Sequence, residues 1–252
     1  MWRAAPPMSW GQPRVFRELA GVTVILTREG DDNAALVARL HDWSAEVIEL
    51  PCVRVEPVEN TRALAQALAA LREEDWIVLT SRHGADAVAA CGPVRAPVAA
   101  VGGATANWSR AHGLRVEFQP TQPTGERLAR ELPERGGVTL LARSDRALPD
   151  LPAILRDRGF AVREIVAYRT IPDAQGDVAR VRALLASREP VAIVFHSPSA
   201  LVGMLAAIEA PLVARATIRV FGRSTLRAVR DALGAAADVS VIKEEDVDVA
   251  HR

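Results

Sequence analysis

The stretches DWIVLTSRHGADAV (residues 75–88) and PVAIVFHSPSALVG (190–203) decide the fold class, because in each a strand-like run leads at once into a helix-like segment. The apolar runs are rich in Val, Ile and Leu without strict alternation, which is typical of buried strands in a parallel sheet. Ser81 of the first stretch and Ser197 of the second lie 116 residues apart (81 to 197). The chain therefore carries two similar strand–turn–helix segments.

Two further motifs repeat in the same order. VTVILTR (22–28) and VTLLARS (138–144) are again 116 residues apart (22 to 138), and VGGAT (101–105) precedes FGRST (221–225) by 120 (Gly102 to Gly222). Three motifs in one order at nearly one spacing indicate a repeat of about half the chain. The alternative is that any two α/β halves resemble each other.

Strand-like and helix-like segments alternate along the whole chain. The predicted strands are 22–26, 46–50, 76–80, 98–101, 138–142, 162–168, 191–195 and 217–221. Ala- and Leu-rich helical spacing lies between them, over 33–43, 61–73, 151–159 and 225–234. This alternation predicts an α/β fold of parallel sheets joined by right-handed crossovers.

The repeat predicts two similar open parallel-sheet (flavodoxin-like) domains of about five strands each. The segments LPCVRVEP (50–57) and IVAYRTIP (165–172) occupy matching places, each a strand end that runs into proline. If both cross between the domains, they form a two-stranded linker and domain one is discontinuous. We expect the ligand in a cleft between such domains. The predicted parts are an N-terminal extension (1–19), domain one (20–52 and 172–252), linker strands (53–56 and 167–171) and domain two (57–166).

Composition argues against several functional classes. Formal net charge is +0, so we expect neither a nucleic-acid partner nor a membrane surface, and no apolar run reaches the length of a spanning helix. The start, MWRAAPPMSWGQPRVF, has no continuous apolar stretch of the kind that a secretion signal needs. Cys52 and Cys91 are isolated and the five histidines lack metal-ligand spacing. We expect a cytoplasmic monomer that holds no metal.

Small polar residues follow the predicted strands in each half, where parallel strands place their carboxyl ends at one edge of the sheet. Helix N-termini at that edge expose N–H groups and favour anions. The predicted substrate-binding residues are Thr27, Arg28, Thr80, Ser81, Gly102, Thr105, Ser197, Ser199, Gly222, Arg223 and Thr225. The alternative is that the hydroxyl residues only cap helices. The chain has neither the phosphate-loop pattern nor the dinucleotide pattern.

Arginines also stand near the strand ends. Arg143 is the counterpart of Arg28 in the repeat, and Arg82 and Arg223 follow turn residues. We expect a solvated surface position for all four; a polycarboxylate ligand would favour roles for Arg28 and Arg223. His83 and His196 lie at different offsets from Ser81 and Ser197, so the repeat does not support a pair of functional histidines.

Tyr168, in VAYRT (166–170), is the single tyrosine of the chain. The matching place in the other half holds Val53, so only one of the two linker strands carries a phenol. A phenol is protonated at neutral pH and can donate a hydrogen bond or a proton. The alternative is a half-buried tyrosine that merely packs.

Taken together, these motifs resemble the uroporphyrinogen-III synthase family over about 20–242. The resemblance is carried by VILTR (24–28), DWIVLTS (75–81), VAAVGGAT (98–105), VAYRT (166–170), VFHSPSA (194–200) and FGRST (221–225), in that order. The family implies two α/β domains joined by a two-stranded linker, with domain one discontinuous.

The resemblance also implies a reaction. The family removes water from the linear tetrapyrrole hydroxymethylbilane, inverts its last pyrrole ring through a spiro intermediate and closes the macrocycle, without cofactor or metal. Its product carries eight carboxylates, held largely by backbone N–H groups between the domains. The family tyrosine most often considered catalytic corresponds to Tyr168.

Two features depart from the family pattern. His196-Ser197 stands where Thr-Ser is usual, and the end of the chain, KEEDVDVAHR (243–252), is shorter than the usual final helix. Three alternatives therefore remain open. They are a non-catalytic two-lobed binding protein for a small anionic ligand, an enzyme for another small anion such as a sugar phosphate, and an inactive family relative.

Overall fold

A computed structural model describes residues 19–28 and 33–242 of the chain. The predicted N-terminal extension, apart from Leu19, and the departure at 243–252 lie outside the described residues. No helix within the described ranges is long and apolar enough to cross a membrane.

The described chain divides into two units. Unit one contains the described residues up to Arg54 together with those from Pro172 onward, and unit two is Val55–Ile171. The chain thus passes from one unit to the other twice, after Arg54 and after Ile171.

Unit one is built around a five-stranded sheet in the order β11-β10-β9-β1-β2. Its strands are β1 (Thr23–Leu26), β2 (Glu46–Glu49), β9 (Val191–Phe195), β10 (Thr217–Phe221) and β11 (Val239–Ile242). All neighbouring pairs are parallel. Its helices are α1 (Ala34–Asp42), α7 (Val178–Ala186), α8 (Pro198–Ala207), α9 (Ala210–Val213) and α10 (Arg223–Leu233).

Unit two contains most of a six-stranded sheet in the order β3-β8-β7-β4-β5-β6. Its strands are β3 (Val53–Pro57), β4 (Trp76–Leu79), β5 (Val98–Ala100), β6 (Val116–Phe118), β7 (Val138–Ser144) and β8 (Ala161–Pro172). The pairs from β8 to β6 are parallel. Its helices are α2 (Arg62–Ala69), α3 (Arg82–Ala89), α4 (Gly103–Ala111), α5 (Gly125–Glu131) and α6 (Asp150–Asp157).

The two sheets share one spatial order, which confirms the predicted fold class. Counted along the chain within unit one, the order is 2-1-3-4-5, the flavodoxin-like arrangement. In unit two the strands β8, β7, β4, β5 and β6 occupy the places of β2, β1, β9, β10 and β11. The motifs that repeat in the sequence therefore lie on strands at equivalent positions of the two sheets. The order of these strands along the chain differs between the two units.

One spacing read from the sequence is wrong by one residue. Ile25 pairs with Ile193 in the β1–β9 ladder, and Leu140 holds the same place beside Ile77 in the β7–β4 ladder. The strands β1 and β7 thus correspond at 115 residues (25 to 140), whereas Ile77 and Ile193 keep the spacing of 116. The identical residues V-T at the start of both motifs gave the wrong alignment. A shift of one residue moves every side chain of a strand to the opposite face, so the face that each residue buries gives the correct alignment.

The helices cover both faces of each sheet, as parallel sheets require. In unit one the second face holds Val24, Leu26, Ala192 and Val194 against α1. Strands β6 and β11 were not predicted, since both are short edge strands with little buried surface; β6 has the exposed Glu117 at its centre. Strands β9 and β10 have the predicted bounds.

Candidate functional site

The turn from β4 to α3 places a serine hydroxyl at a helix N-terminus in unit two. Ser81 has extended backbone angles (φ −158°, ψ 160°), and its Oγ accepts a hydrogen bond from Gly84 N at 3.2 Å. This is the geometry of an N-cap, in which a side-chain oxygen satisfies a helix N–H group. An added Cβ at Gly84 would lie 2.9 Å from Ala142 O, so glycine lets the first turn of α3 approach strand β7.

The turn from β9 to α8 repeats this geometry in unit one. Ser197 (φ −153°, ψ 158°) accepts from Ala200 N, also at 3.2 Å, and Pro198 opens the helix where a missing N–H costs nothing. Ser199 is partly buried in the first turn. Ser81 and Ser197 therefore both cap helices, as the structural alternative required. The first N–H groups of such helices also favour anions.

The glycine turns begin the next helix of each sheet. Gly102 (φ −162°) precedes α4, and a Cβ there would meet Pro123 at 2.9 Å. Gly222 has φ +83°, a left-handed conformation that glycine adopts without strain. Thr105 and Thr225 are the third residues of α4 and α10; both are buried, so their side chains support the turns from within.

Tyr168 lies in the core of unit two with its hydroxyl at a helix N-terminus. The side chain is 9% exposed and packs in the cluster that includes Leu79, Ala85 and Leu140. Its Oη lies 2.8 Å from Ser81 Oγ, and its ring centroid lies 5.6 Å from that of His83. Val53, its counterpart, packs against the core of unit one. The structure thus places a phenol, a hydroxyl and an imidazole within one small region.

A second cluster of polar groups lies beside this tyrosine, and sequence reasoning missed it. Ser144 Oγ lies 2.7 Å from Thr170 Oγ1, and Asp145 Oδ1 accepts from Thr170 N at 2.9 Å. Desolvation of the exposed Asp145 carboxylate raises its pKa, but the Thr170 N–H, the Ser144 hydroxyl and two nearby arginines lower the pKa on balance. The available signal was that Ser144 and Asp145 lie two and three residues after a predicted strand (138–142) and that Thr170 belongs to the VAYRT motif.

The arginines near the strand ends differ in their surroundings. Arg28 and Arg223 are exposed, as predicted. Arg143 is not: it is 9% exposed, donates to Glu164 Oε2 at 3.1 Å and also donates to Leu148 O. Burial lowers the pKa of Arg143, and Glu164 opposes that shift. The predicted solvated position was wrong for Arg143, because β7 continues to Ser144 and keeps the residue inside the sheet. Arg82, partly buried, lies 5.8 Å from the Trp108 ring centroid.

The two threonines at strand ends have different positions. Thr27 is buried and its hydroxyl donates to Val194 O at 2.7 Å, which ties the end of β1 to β9. Thr80 is exposed at the end of β4. Only Thr80 of this pair presents its side chain to solvent.

His196, which departs from the family pattern, packs as a neutral ring. It stacks on Phe221 with centroids 4.6 Å apart, and its Nδ1 is buried without a hydrogen-bond partner. Burial, and then the charge of Arg28, lower the pKa of His196 to about 3. The imidazole thus occupies the place before Ser197 that Thr80 has before Ser81, and it does so as an aromatic packing residue.

This packing predicts a specific loss of stability in acid. Because the folded-state pKa lies below the ordinary 6.5, the unfolded chain binds more protons there, and stability falls as pH drops from about 6.5 toward 3. Between pH 7 and pH 5 the wild-type protein should lose about 2 kcal/mol that His196→Gln does not lose. Urea unfolding at both pH values measures this difference, and equal losses in the two proteins would contradict it.

The arrangement as a whole offers weak acids and anion-binding N–H groups. Each sheet presents turns at the carboxyl ends of its parallel strands, with helices that begin there. In unit two one of these turns holds a phenol in contact with a capping serine. Such a turn can bind a carboxylate through its N–H groups and donate a proton from its phenol.

Comparisons with known proteins point to one family. Residues 34–240 match the family model described as "Uroporphyrinogen-III synthase HemD". The chain is 26% identical over 226 residues to the porphyrin biosynthesis protein HemD of Ruminiclostridium josui, covering 85% of this chain and 45% of that protein. It is 32% identical over 193 residues to the chloroplastic uroporphyrinogen-III synthase of Oryza sativa subsp. japonica, covering 71% and 62% respectively.

The chain therefore spans less than two thirds of the length of these curated relatives. Among solved structures, a mutant uroporphyrinogen-III synthase from the extremely thermophilic bacterium Thermus thermophilus superposes with a TM-score of 0.55 at 21% identity. That match covers 83% of this chain and 88% of the other, and it supports the fold.

Proposed function

Since this chain belongs to the uroporphyrinogen-III synthase family, we propose that it cyclises hydroxymethylbilane to uroporphyrinogen III. The reaction removes one water and inverts the last pyrrole ring before the macrocycle closes. It is a carbon–oxygen lyase reaction of tetrapyrrole biosynthesis. The chain's own residues supply the acid and the anion-binding turns, and we propose no cofactor or metal.

The observation that carries this proposal is the contact between the Tyr168 and Ser81 hydroxyls, 2.8 Å apart. Either oxygen can donate, so the phenol can direct its proton toward a substrate while it accepts from the serine. Ser81 in turn accepts from Gly84 N at the start of α3. The phenol is therefore held at the positive end of a helix, where negative charge is favoured as the proton leaves.

Tyr168 acts as the general acid in the first step. The bond between the terminal carbon and its hydroxyl breaks, the phenol proton joins the departing oxygen, and water leaves. The electrons of the pyrrole nitrogen stabilise the carbon that remains. After ring inversion and closure the macrocycle loses one proton, so the phenol is restored with no net change in the enzyme.

The substrate carboxylates are bound at the strand-to-helix turns. The turns that we propose for this role are the ones in which a helix is preceded by Ser81, Gly102, Ser197 or Gly222. Their free N–H groups suit carboxylates, and the exposed Arg28 and Arg223 add positive charge in unit one. Of the other predicted binding residues, Thr80 and Ser199 contact substrate, while the buried Thr27, Thr105 and Thr225 shape the turns.

The remaining predictions concern the location, the oligomeric state and the partners of the protein. A cytoplasmic location, a monomeric state and the lack of a nucleic-acid partner stay predictions. The hydrodynamic radius of the purified protein at assay concentration tests the monomer.

A direct test uses the purified protein after dialysis against chelator. Hydroxymethylbilane generated in situ should disappear faster than in buffer alone, with a rate proportional to protein concentration and unaffected by the chelator. Saturable binding without turnover would instead favour the non-catalytic binding protein. Neither binding nor turnover would leave an inactive family relative.

Ser81 and Ser197 provide a matched pair for the role of the serine. Ser81→Ala and Ser197→Ala should each lose about 1 kcal/mol of stability, because each removes an equivalent N-cap. Only Ser81→Ala should also lower kcat, by about tenfold, because it removes the partner of the phenol. Steady-state kinetics and urea unfolding of both variants measure this. Equal effects on kcat would show that Ser81 serves only as a cap.

A further inference from the structure

The ladder between β7 and β8 shifts register at the position of Tyr168. Ala142 pairs with Ile165 and Arg143 with Val166, but Ser144 pairs with Tyr168, so Ala167 is passed over. A bulge of this kind adds one residue to a strand and can turn a side chain toward the opposite face of the sheet.

The burial of successive residues of β8 shows this change of face. Ile165 packs against the core beside α3, Val166 is 47% exposed, and Ala167 returns to that core. Regular alternation would put Tyr168 on the face of Val166. Instead Tyr168 follows Ala167 into the same core, where its hydroxyl reaches Ser81. The bulge is therefore what brings the phenol to α3.

One short turn fixes the strand beyond the bulge. Asp145 N donates to Tyr168 O at 3.2 Å, and Asp145 Oδ1 accepts from Thr170 N at 2.9 Å. Ser144 donates to the same carboxylate oxygen at 3.1 Å and lies 2.7 Å from Thr170 Oγ1. The Asp145 carboxylate thus accepts a hydrogen bond from the backbone N–H of Thr170, two positions after the tyrosine. The backbone and the side chain of one aspartate therefore hold the chain from the carbonyl of Tyr168 to the N–H of Thr170.

We infer that Asp145 is a positioning residue for the cyclisation, because it holds the bulged segment that aims the Tyr168 phenol at Ser81. This role rests on the proposed function for its kinetic consequence, but the placement of the phenol can be measured without substrate. Asp145 is exposed and contributes no apolar burial, so its removal leaves the core of unit two intact. The requirement is an acceptor for Thr170 N, which an amide oxygen also supplies.

The test compares Asp145→Ala with Asp145→Asn. Asp145→Ala should lower kcat about tenfold with little change in KM, because the acid is misaimed while the binding turns are unchanged. Asp145→Asn should stay within about twofold of wild type, since its carbonyl oxygen can accept from Thr170 N. Asp157→Ala, which removes another exposed carboxylate from unit two, is the charge-matched control and should leave kcat unchanged.

Two further measurements separate positioning from a general structural effect. In the Tyr168→Phe background, Asp145→Ala should lower the residual kcat by less than about twofold, because the group that it positions is gone. The chain has one tyrosine, so protein labelled with 13C-tyrosine gives a single set of ring resonances. These should shift or broaden in Asp145→Ala and match wild type in Asp145→Asn, whether or not the protein turns over substrate.

Unchanged tyrosine resonances in Asp145→Ala would overturn the inference, and so would a kcat of Asp145→Asn as low as that of Asp145→Ala. If the wild-type protein shows no synthase activity, the proposed function fails. The resonances then still decide whether Asp145 places the phenol.

Discussion

Tyr168→Phe should lower kcat by about a hundredfold or more while the protein stays folded. Phenylalanine keeps the ring that packs in the core of unit two and removes the hydroxyl that we propose as the proton donor to the departing group. The lost contact with Ser81 should cost about 1 kcal/mol of stability. KM should change little, because the N–H groups of the carboxylate-binding turns, including the one that follows Ser81, are still present in the variant. Steady-state kinetics, with urea unfolding to confirm the fold, measure both effects.

Trp108→Phe is the matched control for this variant. Trp108 donates to Asp86 Oδ1 at 2.6 Å, so the change also removes a hydrogen bond from an aromatic side chain of unit two, but at an exposed position. Its kcat should equal that of wild type. If Tyr168→Phe also kept the wild-type rate and isomer selectivity, the phenol would be a packing residue and the acid role would be wrong.

Gly203→Ala should destabilise unit one by about 3 kcal/mol or more, the largest stability effect that we expect from one added methyl group. A Cβ at Gly203 would lie 1.9 Å from Cys52 O and 2.9 Å from Asp173 N. These two backbone groups are also hydrogen-bonded to each other at 3.0 Å. They lie close to the points at which the chain leaves and re-enters unit one. Helix α8 can therefore pack there only without a side chain at this position.

Gly103→Ala separates this clash from a general effect of replacing glycine in a helix. Gly103 opens α4, and an added Cβ there would meet nothing within 4 Å. The change should be neutral or should stabilise by up to about 1 kcal/mol, since alanine is the better helix former. Thermal or urea unfolding compares the two variants. A loss below about 1 kcal/mol for Gly203→Ala would mean that α8 can move away from Cys52 at little cost.

Much of the fold could be predicted because its causes are local. Runs such as VAIVF and TIRVF are buried on both faces, and their composition alone gives β9 and β10 their bounds. The repeat added the prediction of two similar domains, since motifs that recur in one order mark equivalent strands. The edge strand β6 was not predicted, because it is short and half polar and therefore has no apolar run that the sequence would show.

The site was less predictable, because its decisive contacts join distant parts of the chain. The sequence singled out Tyr168 and Ser81 separately, but their contact depends on a bulge in β8 and a cap on α3. The role of Asp145 depends on the same bulge. Arg143 was placed in solvent because arginines are usually exposed; its partner Glu164, across the β7–β8 ladder, accounts for its burial.

The most direct measurement of the central claim is the isomer formed by the purified wild-type protein. Hydroxymethylbilane is generated in situ, the protein is added without metal or cofactor, and the oxidised porphyrins are separated. We predict mainly isomer III, which requires inversion of the last ring while the enzyme holds the substrate. Isomer I alone, formed at the rate seen without protein, would contradict the claim that this chain is a synthase.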